Sequence, residues 1–124
     1  MSFVVEPEKH LPVVYNVDVA VAGGGVAGVF AAIAAARNKA ETVLIDRFGS
    51  PGGNIGPGMI VGGSMSGWPV KHMLGGPFVS IPKEFIERYA ALGGGTVPPY
   101  STGNYMRDSN VASYIALKML EDAG

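Results

Sequence analysis

Apolar side chains form two short runs in the first half of the chain, with a helical stretch between them. The first run, Val17 to Ala22, is rich in β-branched residues, as in a buried parallel strand. The stretch from Val26 to Arg37 contains the small, helix-favouring residues that lie close against a sheet. The second run, Thr42 to Asp46, again predicts a strand. The pattern therefore predicts a β-α-β unit with parallel strands, which places the fold in the α/β class.

Three glycines occupy the turn between the first strand and the helix at G-x-G-x-x-G spacing. Gly23 suits the tight turn out of the strand, Gly25 lets backbone approach a phosphate, and Gly28 lets helix and strand pack closely. The helix that follows directs its free N–H groups and the positive end of its dipole toward an anion. The arrangement is typical of a site for the pyrophosphate of a dinucleotide.

A carboxylate ends the second predicted strand. Asp46 lies 21 residues after Gly25, close to the spacing of about 20 at which dinucleotide-binding folds place an acid for the ribose hydroxyls. The alternative is an ordinary β-α-β unit in which Asp46 merely ends a strand, since a chain with 19 glycines can produce the glycine spacing by accident. The strand before the glycines and the helix after them favour nucleotide binding.

Two amphipathic helices are predicted in the second half of the chain. The first begins at Pro82, ends at Gly93 to Gly95, and has an apolar face made of Phe85, Ile86, Tyr89 and Leu92. The second takes Asp108 as its N-cap and runs to about Ala123, with Val111, Tyr114, Ile115, Lys118 and Met119 along one side. The segment between them, 96–107, contains two consecutive prolines and is predicted to be a loop.

The segment from Phe48 to Pro82 is rich in glycine and carries a single formal charge, Lys71. Glycine permits positive φ angles and close backbone approach, so the segment suits a loop that wraps a ligand with peptide groups. A flexible linker is the alternative. Its many apolar residues, among them Ile55, Met59 and Trp68, favour an ordered and partly buried loop.

Composition narrows the possible functions. A chain of 124 residues has room for one domain, and no apolar run reaches the roughly 18 residues needed to span a bilayer. The net charge of −1 offers no basic surface to nucleic acid or to an anionic membrane. The absence of cysteine excludes disulfides, thiolate catalysis and cysteine-bound metal clusters. The acidic N-terminus lacks the features of an export signal, which predicts a cytoplasmic protein.

Together these motifs resemble the FAD-dependent oxidoreductases of the two-dinucleotide-binding-domain type. The similar elements are the turn from Asp18 to Gly28, the strand end from Val43 to Gly49, and the turn Gly52-Gly53-Asn54. The resemblance covers nearly the whole chain but only the first third of a typical member. It implies a Rossmann-like unit with a glycine-rich loop and two further helices, in which 1–15 lead into an FAD-binding segment at 16–124. A third parallel strand, and with it activity, is then expected from a C-terminal portion or a further chain.

The same resemblance implies roles for individual residues. The backbone facing the FAD pyrophosphate would come from Gly23, Gly25, Val26, Ala27 and Gly28. Asp46 would hold the adenosine ribose, with Arg47 beside the adenine. The turn at Gly52, Gly53 and Asn54 would lie along the pyrophosphate and the ribityl chain. Two departures are visible: glutamate is commoner than aspartate at the ribose position, and the turn after the first helix has no glycine, so Asn38 is expected to take the left-handed conformation there.

Two alternatives and the catalytic residues stay open. Asp46 would serve NAD as well as FAD, although the long Gly-Gly-Asn loop after it favours FAD. The chain could also be a nucleotide-binding module without turnover of its own. A flavin carries the redox chemistry of its enzymes, so an acid–base constellation is not required. His72, Trp68, Tyr100 and Tyr105 are weak candidates for contact with flavin or with an unidentified small-molecule substrate, and no catalytic residue or metal ligand is assigned.

Overall fold

The computed structural model describes residues 2–59, 80–95 and 108–124. Strand β1 (Val19–Ala22), helix α1 (Val26–Arg37) and strand β2 (Thr42–Ile45) form a β-α-β unit. The two strands pair in parallel, from Val19 opposite Thr42 to Ala22 opposite Ile45. A 3-10 turn at Gly53–Ile55 and two helices, α2 (Ser80–Ala91) and α3 (Ser109–Ala123), follow. The predicted α/β class and parallel pairing are confirmed.

Strand β1 is two residues shorter than predicted, and strand β2 is one residue shorter. The backbone N–H groups of Asp18 and Val19 both donate to the carbonyl oxygen of Glu41, at 3.0 and 3.1 Å. One carbonyl thus serves two donors, and the regular register of the two strands begins with Val19 opposite Thr42. At the other end β2 stops at Ile45, which leaves Asp46 just beyond the carboxyl edge of the sheet.

Among the described residues, helix α1 covers one face of the two-stranded sheet and nothing covers the other. Val21 points toward α1, since a Cβ built on Gly28 of that helix would lie 3.4 Å from its Cγ1. Leu44, opposite Val21 in the register, packs against the core on the same side. On the other face Ala20 and Ala22 are exposed, and Ile45 is 55% exposed. In the described part of the chain the sheet thus has one apolar face that is exposed.

The core lies among the three helices. Phe85 of α2 contacts Phe30 edge to face, with ring centroids 5.6 Å apart, and stacks on Tyr89 at 6.2 Å. The other fully buried side chains come from all three helices and from the 3-10 turn: Val29, Ile33, Ile55, Ile86 and Met119. Close packing is aided by small buried residues, Ala32 on α1 and Ala112 and Ala116 on α3.

The predicted helix faces are confirmed in part. Phe85, Ile86 and Tyr89 are buried as expected, and so are Ile115 and Met119. Leu92 was wrongly placed on the apolar face, because α2 ends at Ala91 and the Leu92 side chain is 54% exposed. Tyr114 is 50% exposed, since the buried stripe of α3 runs through Ala112 and Ala116 instead.

Helix ends follow capping chemistry. Asp108 caps α3 as predicted, with Oδ1 accepting from the backbone N–H groups of Asn110 at 2.8 Å and Val111 at 3.1 Å. Helix α2 begins at Ser80, two residues before the predicted Pro82. Pro82 is tolerated there because the first N–H groups of a helix have no intrahelical acceptor.

The left-handed residue after α1 is Lys39, not Asn38. Asn38 has φ −87°, whereas Lys39 has φ 66°. The Lys39 N–H donates to the Ala36 carbonyl at 2.8 Å and the Ala40 N–H to the Ala35 carbonyl at 3.2 Å. These are the paired bonds of a Schellman motif, which places the left-handed conformation one residue beyond the cap.

Ion pairs join the three helices on the outside of the core. Both guanidinium nitrogens of Arg37 donate to Glu84, at 2.7 and 3.0 Å. Arg88 bridges Glu84 at 2.7 Å and Asp122 at 2.5 Å. The hydrogen bonds from Arg37 lower the pKa of the Glu84 carboxyl below its ordinary range. The network therefore links the ends of α1 and α3 through α2.

The glycine-rich loop is described only up to Met59. That part is ordered around the 3-10 turn, and Ile55 is buried in the core. The candidates Trp68, His72, Tyr100 and Tyr105 lie outside the described residues. Within the described ranges, no helix is both long and apolar enough to cross a membrane.

Candidate dinucleotide-binding site

The turn after β1 is held by backbone hydrogen bonding and by a close helix contact. Gly23 has φ 105°, and its N–H donates to the Ile45 carbonyl at 2.7 Å, so the chain turns away while still bound to β2. A Cβ on Gly28 would overlap the carbonyl oxygen of Gly23. The first and third glycines thus serve the tight turn and the helix–strand approach.

Gly25 presents open backbone at the start of α1. It has φ −68° and ψ 178°, and a Cβ built on it would meet nothing within 4 Å. Gly25 caps the helix without a side chain that could bond the N–H groups of the first turn, which include those of Val26 and Ala27. An anion could therefore approach the positive end of the helix directly.

The Gly-Gly-Asn turn lies directly against this glycine turn. The Gly52 N–H donates to the Gly24 carbonyl at 2.8 Å, and Gly25 and Gly52 pair as a parallel bridge. A Cβ on Gly53 would lie only 2.8 Å from the Gly25 Cα. Gly52 and Gly53 both have positive φ angles, 117° and 54°. A side chain at Gly53 would therefore push the two loops apart, whereas one at Gly52 would press on Gly56 of its own loop, 3.2 Å away.

An open groove of about 400 Å³ results from this contact, lined by Gly25, Val26, Gly53 and Asn54. The structure therefore brings together residues from both predicted segments. A hydrogen bond ties the Gly-Gly-Asn loop to α3, since the Ser113 hydroxyl donates to the Pro51 carbonyl at 2.5 Å. Buried Ile55 anchors its other side in the core.

Asp46 lies beside the same turn. Its Oδ1 accepts from the Arg47 backbone N–H at 2.8 Å. Its Oδ2 is buried and has no hydrogen-bond partner within the described part of the chain. A buried carboxylate oxygen without a donor is costly, so its position favours a ligand that supplies one. A ribose hydroxyl is such a donor.

An apolar groove of about 250 Å³ continues from Asp46, and its walls include Phe48, Leu117 and Leu120. The Arg47 guanidinium lies 4.8 Å from the centroid of the Phe48 ring, within the range of a cation–π contact. Sequence reasoning missed Phe48 and Leu117 as candidates. The two side chains are 48% and 43% exposed, and their place in one groove depends on the tertiary packing of α3.

A comparison with protein families decides the class. The family model described as FAD dependent oxidoreductase matches residues 18–124. The chain belongs to the FAD-dependent oxidoreductase family. No curated protein and no solved structure matches it significantly.

Membership of the FAD-dependent oxidoreductase family identifies FAD as the cofactor and decides against the nicotinamide alternative. The chain is a flavin-binding oxidoreductase segment with an α/β fold. In the described residues the backbone at Gly25 is open, and Oδ2 of Asp46 is buried without a hydrogen-bond partner. In the described residues no group of three or more histidine, aspartate or glutamate side chains is placed to hold a metal ion.

Proposed function

We propose that this chain binds FAD across the contact between its two glycine turns and uses the flavin for oxidoreduction of a small molecule. The observation that carries the proposal is the backbone contact of Gly52 and Gly53 with Gly24 and Gly25, beside which lies an open groove at the start of α1 with a glycine from each turn in its wall. A pyrophosphate is the part of a dinucleotide that such a groove fits.

The pyrophosphate would lie over the first turn of α1. Gly23, Gly25 and Gly28 keep the turn tight and open, while the N–H groups of Val26 and Ala27 face the anion. Gly52, Gly53 and Asn54 would line the opposite side of the groove and lead toward the ribityl chain. The support is that Gly25, Val26, Gly53 and Asn54 share one groove.

The adenosine half would lie toward β2. Asp46 would accept hydrogen bonds from the ribose hydroxyls, which would supply a donor to Oδ2, an atom with no hydrogen-bond partner among the described residues. Arg47 would lie beside the adenine, and the exposed Phe48 ring against which it packs would contribute an apolar surface there. The direction of the dinucleotide follows, with adenine near β2 and flavin beyond Asn54.

We also propose that turnover needs a further polypeptide surface, from a C-terminal portion or another chain. The open sheet face formed by Ala20, Ala22 and Ile45 supports this, because exposed apolar sheet faces are normally covered. Bound flavin would supply the hydride or electron transfer. Residues 16–124 would then act as the FAD-binding part, preceded by the lead-in at 1–15.

FAD binding is tested with the purified chain by its visible spectrum, by identification of any released chromophore and by titration with FAD. Asp46→Ala should weaken FAD binding about ten- to a hundredfold, which is the loss of affinity expected when hydrogen bonds to a charged group are removed. Asp18→Ala is the matched control, since Asp18 lies at the other end of β1 and bonds the Glu41 N–H at 2.9 Å. Absence of flavin binding by the unmodified chain, or an equal loss in both variants, would contradict the proposal.

A further inference from the structure

Gly24 is the glycine of the turn to which the G-x-G-x-x-G pattern gives no role. It is buried. A Cβ built on it would lie 2.5 Å from Asp46 Oδ2 and 3.0 Å from both the Cβ and Cγ of the same side chain. All three of these contacts are with Asp46. The carboxylate therefore occupies the space that any side chain at position 24 would need.

The Asp46 carboxylate is otherwise held at one oxygen only. Oδ1 accepts from the Arg47 N–H at 2.8 Å, while Oδ2 faces Gly24 without a hydrogen-bond partner in the described residues. The carboxylate therefore lies where a side chain at position 24 would be. A methyl group at position 24 would force the side chain to rotate, because Oδ2 cannot remain 2.5 Å from a carbon atom.

Gly24 also joins Asp46 to the phosphate side of the site. Its carbonyl oxygen accepts from the Gly52 N–H at 2.8 Å, which holds the Gly-Gly-Asn turn in place. One residue thus lies beside the carboxylate, on the side where its own side chain would be, and bonds the second glycine turn through its carbonyl. Its position fixes the carboxylate relative to the pyrophosphate groove.

We propose that Gly24 is a positioning residue, which sets the orientation of the Asp46 carboxylate for the ribose hydroxyls by leaving no side chain beside it. The inference rests on the proposed function, since it concerns the same adenosine site. It assigns specificity for ribose to a glycine rather than to the acid alone. Gly24 itself need not touch the ligand.

The test compares ADP with 2′,3′-dideoxy-ADP by titration calorimetry on the full chain. Unmodified protein should prefer ADP, since only ADP has the ribose hydroxyls. Gly24→Ala should weaken ADP binding about ten- to a hundredfold, the loss expected for hydrogen bonds to a charged group, and should leave the dideoxy affinity nearly unchanged. A purely structural role for Gly24 would weaken both ligands equally and would overturn the proposal.

A double-variant cycle tests whether Gly24 acts through Asp46. Asp46→Gly removes the three atoms nearest to a Cβ at position 24. Adding Gly24→Ala to Asp46→Gly should therefore change ADP affinity less than about twofold, by the logic of coupled residues. A full Gly24→Ala effect in that background would overturn the proposal.

The same pair of variants also serves as the control for loss of folding. If Gly24→Ala alone does not fold, the proposal requires the double variant to fold, because the clashing carboxylate is gone; an unfolded double variant would overturn it. Failure of the unmodified chain to bind either FAD or ADP would instead refute the proposed function. Binding of both with unchanged ribose preference in Gly24→Ala would refute only the role of Gly24.

Discussion

The Tyr89 hydroxyl makes two hydrogen bonds to the backbone of one residue, Asp108. It accepts from the Asp108 N–H at 2.7 Å and donates to the Asp108 carbonyl at 3.1 Å. Asp108 in turn caps α3, so the buried ring of α2 fixes the start of that helix. Gly94 packs on the same ring, where a Cβ would lie 2.5 Å from two ring carbons.

Tyr89→Phe should therefore destabilise the protein by about 1–3 kcal/mol, because the partly buried Asp108 N–H loses its acceptor. Urea unfolding followed by circular dichroism measures the change. Tyr114→Phe is the matched control, since it removes the same hydroxyl from a side chain that is 50% exposed. It should change the free energy of unfolding by less than about 0.5 kcal/mol. Equal effects of the two variants would contradict the assigned role.

Sequence predicts the β-α-β unit well because its signals are local. The glycine spacing, the apolar run before it and the helix formers after it all lie within 21 residues of one another. The N-cap at Asp108 follows from local chemistry in the same way. The strand bounds were predicted less accurately, since the start of β1 depends on hydrogen bonds to Glu41, the residue before β2, whose carbonyl accepts from both Asp18 and Val19.

Other features depend on partners far apart in sequence. The position of Asp46 beside Gly24 requires the pairing of β1 with β2, and the Arg37–Glu84 pair spans 47 positions. Exposure of Tyr114 follows from alanines on the opposite side of α3 packing in the core. No periodicity within one segment contains this information.

Substitution by alanine should have different effects at Gly25 and Gly28, the second and third glycines of the G-x-G-x-x-G pattern. Gly25→Ala has open space and an ordinary φ of −68°, so the fold should stay intact while FAD affinity falls more than about tenfold, since the methyl group enters the pyrophosphate groove. Gly28→Ala should lower the free energy of unfolding by about 1–3 kcal/mol or more, because its methyl would overlap the Gly23 carbonyl. FAD titration and urea unfolding on both variants separate the two effects. Loss of stability in Gly25→Ala would contradict this assignment.

Lys39→Gly should stabilise the protein. Lys39 has φ 66°, and the left-handed conformation costs a residue with a Cβ about 1 kcal/mol. Glycine should recover about that amount in the free energy of unfolding. Asn38→Gly is the control: Asn38 has φ −87° and its side-chain N–H donates to the Ala34 carbonyl at 2.8 Å, so this variant should be destabilised or unchanged. Stabilisation by Asn38→Gly instead would refute the placement of the left-handed residue.

The ion pairs around Glu84 should make stability depend on pH in the acid range. Hydrogen bonds from Arg37 lower the pKa of Glu84 in the folded state, so the folded protein binds fewer protons there than the unfolded chain. The resulting stabilisation is fully present above the unfolded pKa of about 4.3 and is lost as the pH falls through the lower folded value.

Glu84→Gln should accordingly cost about 1 kcal/mol at pH 7, a value suited to a bidentate pair that is partly exposed. The difference from the unmodified protein should shrink below about pH 4. Glu87→Gln is the matched control on the same helix, since its pair with Lys83 is 3.7 Å long and half exposed, and it should cost less than about 0.5 kcal/mol. Urea unfolding of the three proteins at several pH values gives both differences. A Glu84→Gln difference that persists unchanged at pH 3 would show that the carboxylate charge does not stabilise the three-helix contact.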